Sequence, residues 1–103
     1  MAFRDSYDTR HLVNVMEDFV FDAIDAVMPN HPEMCKCQDC MLDVAAIALN
    51  SLPPRYCLGK FAAPARGVHR LRHYVPEKEK DMVERARSAV ATAMATVKEH
   101  PNH

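Results

Sequence analysis

All four cysteines of the chain lie between positions 35 and 57, in the pattern C-x-C-x2-C-x16-C. Cys35, Cys37 and Cys40 fall within six positions, and Cys57 follows an apolar segment and two prolines. Four thiolates form the closed tetrahedral set of a structural zinc site. Cys40 is expected near a helix start, where the dipole favours the thiolate that a metal requires. The spacing therefore predicts structural zinc bound by these four cysteines.

The fourth cysteine has to return to the other three from the far end of a predicted helix. A helix from Cys40 to Ser51 would be about 16 Å long. The six steps from Ser51 to Cys57 span at most about 20 Å when the chain is extended. Cys57 can therefore reach the site within its own chain if Pro53 and Pro54 reverse the chain and keep it extended. Ligation of a neighbouring subunit's metal stays open.

Three other interpretations of the cysteine pattern also stay open. Redox-active thiols would form disulfides among the same four residues. An iron–sulfur cluster also uses four thiolates, although this spacing matches neither ferredoxin pattern. A buried cysteine can act simply as a small apolar side chain. Because a reducing compartment disfavours structural disulfides, metal binding is the preferred interpretation.

A second candidate site is the basic segment, residues 55–74, which contains no acidic residue. Guanidinium groups bind phosphate oxygens in pairs and stack on planar rings, and three aromatic residues are interleaved with the cations. The segment is therefore a candidate site for an anionic ligand, unless its cations pair with the acidic helices instead. The candidate ligand-binding residues are Arg55, Lys60, Arg66, Arg70 and Arg72.

The rest of the sequence argues against several classes of function. It contains no nucleophile elbow, phosphate-binding glycine loop or H-E-x-x-H motif. The formal net charge of -1 gives no general attraction to nucleic acid. No apolar run is long enough to cross a membrane, and the polar N-terminus lacks a signal-peptide core. We therefore expect a non-enzymatic, cytoplasmic protein that binds neither membranes nor nucleic acid directly.

Hydrophobic periodicity predicts a mainly α-helical fold, a single domain over residues 1–103 with three main helices and a zinc-stapled loop. The first helix is predicted from about Arg10 to Met28 and is amphipathic. The second, from about Asp39 to Ser51, is apolar all round and therefore belongs in the core, with Asp39 capping its start. The third is predicted from Glu77 to Lys98, after a proline.

The connection between the second and third helices is about two dozen residues, which is long for a compact domain. Such connections tend to be functional or to contain short strands. Tyr56–Leu58 and His73–Val75 have strand character. The sequence therefore also predicts a short β-hairpin within this connection.

The third predicted helix carries a seam of small apolar residues at heptad-like spacing. Small side chains at such positions let two helices approach closely. The helix that packs on the seam belongs either to the same chain or to a second copy, and the sequence leaves both open. The seam consists of Val83, Ala86, Val90, Ala93 and Val97.

Several of these residues together resemble the late competence development protein ComFB family. The resemblance is carried by Asn14-Val15-Met16-Glu17 followed by Val20, by the cysteine cluster, and above all by the string ALNSLPPRY. It covers roughly residues 11–60 and extends more loosely through the last helix.

The resemblance implies a small helical, dimeric, cytoplasmic bacterial protein that holds zinc through cysteines. Carried over by position, the implied ligands are Cys35, Cys37, Cys40 and Cys57. The family is named for an operon tied to DNA uptake, and other members are linked to cyclic dinucleotide signalling in motility or competence control. The expectation is thus a regulatory homodimer whose basic segment takes a cyclic dinucleotide such as c-di-GMP or c-di-AMP. A protein–protein interaction adaptor without a small ligand and a thiol-based redox sensor are the alternatives.

Overall fold

The computed structural model describes residues 2–58 and 79–101, which form four α-helices and one two-stranded antiparallel sheet. The mainly α-helical prediction is therefore confirmed. In chain order the elements are α1 (Phe3–Ser6), β1 (Leu12–Asn14), α2 (Met16–Val27), a 3-10 turn (Met28–Asn30), α3 (Gln38–Asn50), β2 (Tyr56–Leu58) and α4 (Glu79–Glu99). Within these described ranges, no helix has both the length and the apolar character needed to span a membrane.

The first main helix begins later than the sequence predicted. The prediction placed its start near Arg10, but Leu12–Asn14 form β1 and α2 begins at Met16. Short apolar runs fit a helix or a strand about equally well, so local periodicity cannot decide between them. This segment becomes a strand because β2, more than forty positions later in the chain, supplies its hydrogen-bonding partner.

β1 and β2 pair in antiparallel register, with Leu12 opposite Leu58 and Val13 opposite Cys57. The strand predicted at Tyr56–Leu58 is thus confirmed, but its partner is β1, and the other half of the predicted hairpin, His73–Val75, lies outside the described residues. Cys57 is buried and Val13 packs on the core, whereas Leu12 and Leu58 are exposed. The sheet therefore has one core-facing side and one apolar side open to solvent.

The side chain of Asn14 joins the sheet to the start of α2. Its Oδ1 atom accepts a hydrogen bond from the backbone N–H of Met16 at 3.2 Å and another from the N–H of Arg55 at 2.8 Å. The N–H of Val15 in turn donates to the carbonyl of Arg55 at 2.7 Å. One amide oxygen therefore satisfies a donor at a helix start and fixes the chain just before β2.

Replacing Asn14 with alanine is expected to cost about 2 kcal/mol of unfolding free energy, because two partly buried N–H groups lose their acceptor. Asn14→Asp keeps an acceptor oxygen and places negative charge near the start of α2, so it should change stability by under about 0.5 kcal/mol. Urea unfolding measures both, with Asn50→Ala as the control because Asn50 is exposed at the end of α3. Equal losses in the alanine and aspartate variants would contradict this role for the oxygen.

The core lies where α4 packs against both α2 and α3. Val20 of α2, Val44 of α3 and Val90 of α4 are fully buried. Four of the five seam residues of α4 are buried as well, and the fifth, Val83, packs partly buried against the same core. The heptad seam is therefore used for packing within the chain, which decides between the two alternatives that the sequence left open.

Candidate metal centre

Three of the four cysteines converge in space. The sulfur atoms of Cys35, Cys37 and Cys40 all lie within 4.8 Å of one another. In a tetrahedral site with Zn–S bonds of about 2.3 Å, neighbouring sulfurs are about 3.8 Å apart. Small side-chain rotations would therefore bring these three sulfurs to zinc-binding distance, and the donor set fits the ion predicted from the sequence.

The start of α3 positions this cluster. Cys37 is the N-cap residue, with extended backbone angles, and its sulfur accepts a hydrogen bond from the N–H of Cys40 at 3.4 Å. The helix thus begins at Gln38, and Asp39, which was expected to be the cap, lies in its first turn. Because the N–H of Cys40 points at the sulfur of Cys37 at the positive end of the helix dipole, negative charge on that sulfur is favoured.

Burial differs among the three cysteines. Cys40 is 0% exposed and belongs to the core, while Cys35 and Cys37 are half-buried. Met34, just before them, is also buried. The cluster therefore has a closed side against the core and an open side, and the open side provides an entry path for a metal ion.

Cys57 lies in β2, outside the group of three. Burial raises the pKa of its thiol, and the positive charge of Arg55 opposes that shift. Because a zinc ligand must be a thiolate, the raised pKa means that zinc has to displace a firmly held proton there. The ligation by Cys57 that the sequence predicts would therefore weaken as the pH falls.

A tether between α4 and the loop before the cysteines was not predicted from the sequence. The ammonium group of Lys98, in the last turn of α4, donates to Glu33 Oε1 at 2.6 Å and lies 2.9 Å from His31 Nδ1. The hydrogen bond from Lys98 lowers the pKa of the Glu33 carboxyl. These residues are more than sixty positions apart in the chain, so no local pattern could have revealed the contact.

The basic segment is described only at its beginning. Arg55 is half-buried, and its backbone is fixed between Asn14 and Val15 by the hydrogen bonds given above. Tyr56, next to it, is 58% exposed. The other candidate ligand-binding residues, Lys60, Arg66, Arg70 and Arg72, lie outside the described residues, so their role stays a prediction.

Together, the three-helix core, the small sheet and the converging thiols define a small helical protein with a candidate metal centre at a helix start. The sequence profile of the late competence development protein ComFB family matches residues 13–101, which is most of the chain. The chain therefore belongs to this competence-related family, as the resemblance in the sequence indicated. The search of curated proteins and the search of solved structures gave no match.

Proposed function

We propose that the protein is a non-enzymatic regulatory protein of the ComFB family whose fold is stapled by structural zinc. The observation that carries the proposal is the convergence of Cys35, Cys37 and Cys40 at the start of α3. With Cys57 as the fourth ligand, four thiolates would leave no open coordination position for catalysis. The proposed role of the metal is therefore to hold the fold together.

Zinc in this position would join the loop after α2, the start of α3 and the sheet. Cys35 belongs to the loop after α2, Cys37 and Cys40 belong to the start of α3, and Cys57 belongs to the sheet. Metal-binding free energy contributes directly to folding when the site is not preformed in the unfolded chain. A chain of 103 residues has a modest core, so it gains much from such a staple.

Native mass spectrometry of the purified protein tests the zinc and the dimer in one measurement. The expected result is one zinc ion per chain in a two-chain species. A metal-free protein that takes up no zinc after reduction would overturn the metal centre. A zinc-loaded monomer would overturn only the dimer.

The proposed homodimer is supported by the outer side of the sheet. Leu12 and Leu58 stand opposite each other and are 54% and 41% exposed. Two strands of three residues are marginal alone and gain stability when another apolar surface covers them. Because the seam of α4 is occupied within the chain, we place the contact between copies at this sheet face.

A cyclic dinucleotide is the proposed ligand of the basic segment. The half-buried Arg55 and the exposed ring of Tyr56 support it, because a guanidinium group binds phosphate and a planar ring stacks on a base. No acidic residue in the segment opposes the negative charge of such a ligand.

Replacing Arg66 or Arg70 with alanine is expected to weaken binding of c-di-GMP or c-di-AMP about tenfold or more, since a charge-assisted hydrogen bond contributes about 1.5–3 kcal/mol. Isothermal titration calorimetry measures the change, and the zinc content should stay that of the wild type. Arg87→Ala is the matched control, because Arg87 is exposed on α4. Absence of binding of both dinucleotides to the wild type would overturn the ligand and favour the interaction adaptor.

A further inference from the structure

Cys37 and Cys40 form a C-x-x-C pair whose first member is the N-cap of a helix. The N–H of Cys40 donates to the sulfur of Cys37 at 3.4 Å, so this sulfur lies over the first turn of α3 beside Cys40. Disulfide-exchanging proteins hold their reactive C-x-x-C pairs in such electropositive, partly exposed surroundings. Structural zinc does not by itself link any two of its cysteines covalently, so a disulfide between this pair would be an additional property.

We propose that Cys37 and Cys40 are a dithiol–disulfide couple through which small-molecule disulfides, such as oxidised glutathione, control metal release. The consequence for the metal rests on the zinc site proposed above. The choice of this pair rests on the geometry of the first turn of α3 alone.

Burial assigns different roles to the two sulfurs. Cys37 is half-buried and lies on the open side of the cluster, whereas Cys40 is 0% exposed. An incoming disulfide therefore reaches Cys37 before Cys40. Cys40, held one helical turn away and shielded from the reagent, attacks the mixed disulfide in the second step.

The reaction balances with the named oxidant alone. The thiolate of Cys37 attacks one sulfur of the glutathione disulfide, and the other glutathione leaves as a thiolate and takes up a proton. The thiolate of Cys40 then attacks the sulfur of Cys37, the new S–S bond forms, and the second glutathione leaves in the same way. The two cysteines lose two electrons, the oxidant gains them, and each thiolate consumed is one zinc ligand lost.

The other cysteines are less suited to this role. Cys57 lies in β2, outside the group of converging sulfurs. Cys35 lies in the loop before α3 and takes no part in the cap contact between Cys37 and Cys40. The hydrogen bond from the Cys40 N–H to the Cys37 sulfur therefore favours the Cys37–Cys40 pair.

The test treats the protein as purified with oxidised glutathione and follows two quantities in the same samples. A colorimetric chelator measures zinc release, and peptide mapping under non-reducing conditions identifies the cysteines that become linked. The expected result is a Cys37–Cys40 disulfide that accumulates in step with zinc release, with the same link in Cys57→Ser. In Cys40→Ser, glutathione should stay attached to Cys37.

The two readouts separate this inference from the proposed function. Protein that carries no zinc as purified and takes up none after reduction, yet forms a Cys37–Cys40 disulfide with oxidised glutathione, would refute the metal site and support the couple. Zinc-loaded protein that links Cys35 or Cys57 instead, or that forms no disulfide, would overturn the couple and leave the zinc site intact. Peptide mapping of the wild-type protein identifies the linked cysteines even if Cys40→Ser fails to fold.

Discussion

Replacing Cys40 with serine is expected to lower the melting temperature by roughly 15–30 °C. Loss of a structural metal is among the few single changes that cost more than about 4 kcal/mol, and one kcal/mol corresponds to about 4–8 °C in a domain of this size. Cys40 contributes both to the metal site and to the core, because its sulfur belongs to the cluster and its side chain is fully buried. Thermal unfolding monitored by circular dichroism measures the effect.

Lys80→Ala is the control for this experiment, since Lys80 is exposed at the start of α4 and should shift the midpoint little. The serine hydroxyl, buried in the core, also destabilises the fold by itself. The experiment therefore has to separate this effect from the loss of the metal. Wild-type protein treated with a strong chelator should lose most of the same stability, and chelator should have little further effect on Cys40→Ser. Equal melting temperatures for Cys40→Ser and Lys80→Ala, or a wild type indifferent to the chelator, would contradict structural zinc.

Features with a short-range signal were predictable from the sequence. The convergence of Cys35, Cys37 and Cys40 follows from three cysteines within six positions next to a helix start. α3 was placed within about one residue at each end, because an apolar segment bounded by polar residues and prolines has few alternatives. In these cases the residues that interact are close together in the chain.

Features that depend on distant partners were not predictable in the same way. The sequence predicts a helix at β1 because its partner β2 lies beyond α3, and the hydrogen bond that Asn14 accepts from Arg55 joins the same distant segments. The sequence predicts Asp39 as the cap because aspartate is a far commoner N-cap residue, whereas the N-cap is Cys37. Only the folded chain shows that a cysteine sulfur serves as cap and candidate ligand together.

The packing of α4 was predictable only in part. The sequence showed the seam of small residues but not which helices cover it. Ala86 and Ala93 are 0% exposed where α4 meets α2 and α3. An alanine at such a place lets the helix backbones come close together, and a larger side chain has no space unless the helices separate. The small size of these residues is therefore a requirement of the fold of a single chain.

Replacing Ala93 with leucine should accordingly destabilise the protein by about 1–3 kcal/mol, since overpacking forces strained rotamers or backbone shifts. The matched control is Ala95→Leu, which makes the same change two residues further along α4 at an exposed position and should alter stability by under about 0.5 kcal/mol. Urea unfolding gives both values, and analytical ultracentrifugation gives the oligomeric state of the folded fraction. Because the seam packs within one chain, Ala93→Leu should weaken folding without changing the number of chains in the folded species. A variant that stays fully stable but loses self-association would instead place the seam between two copies and contradict the packing described here.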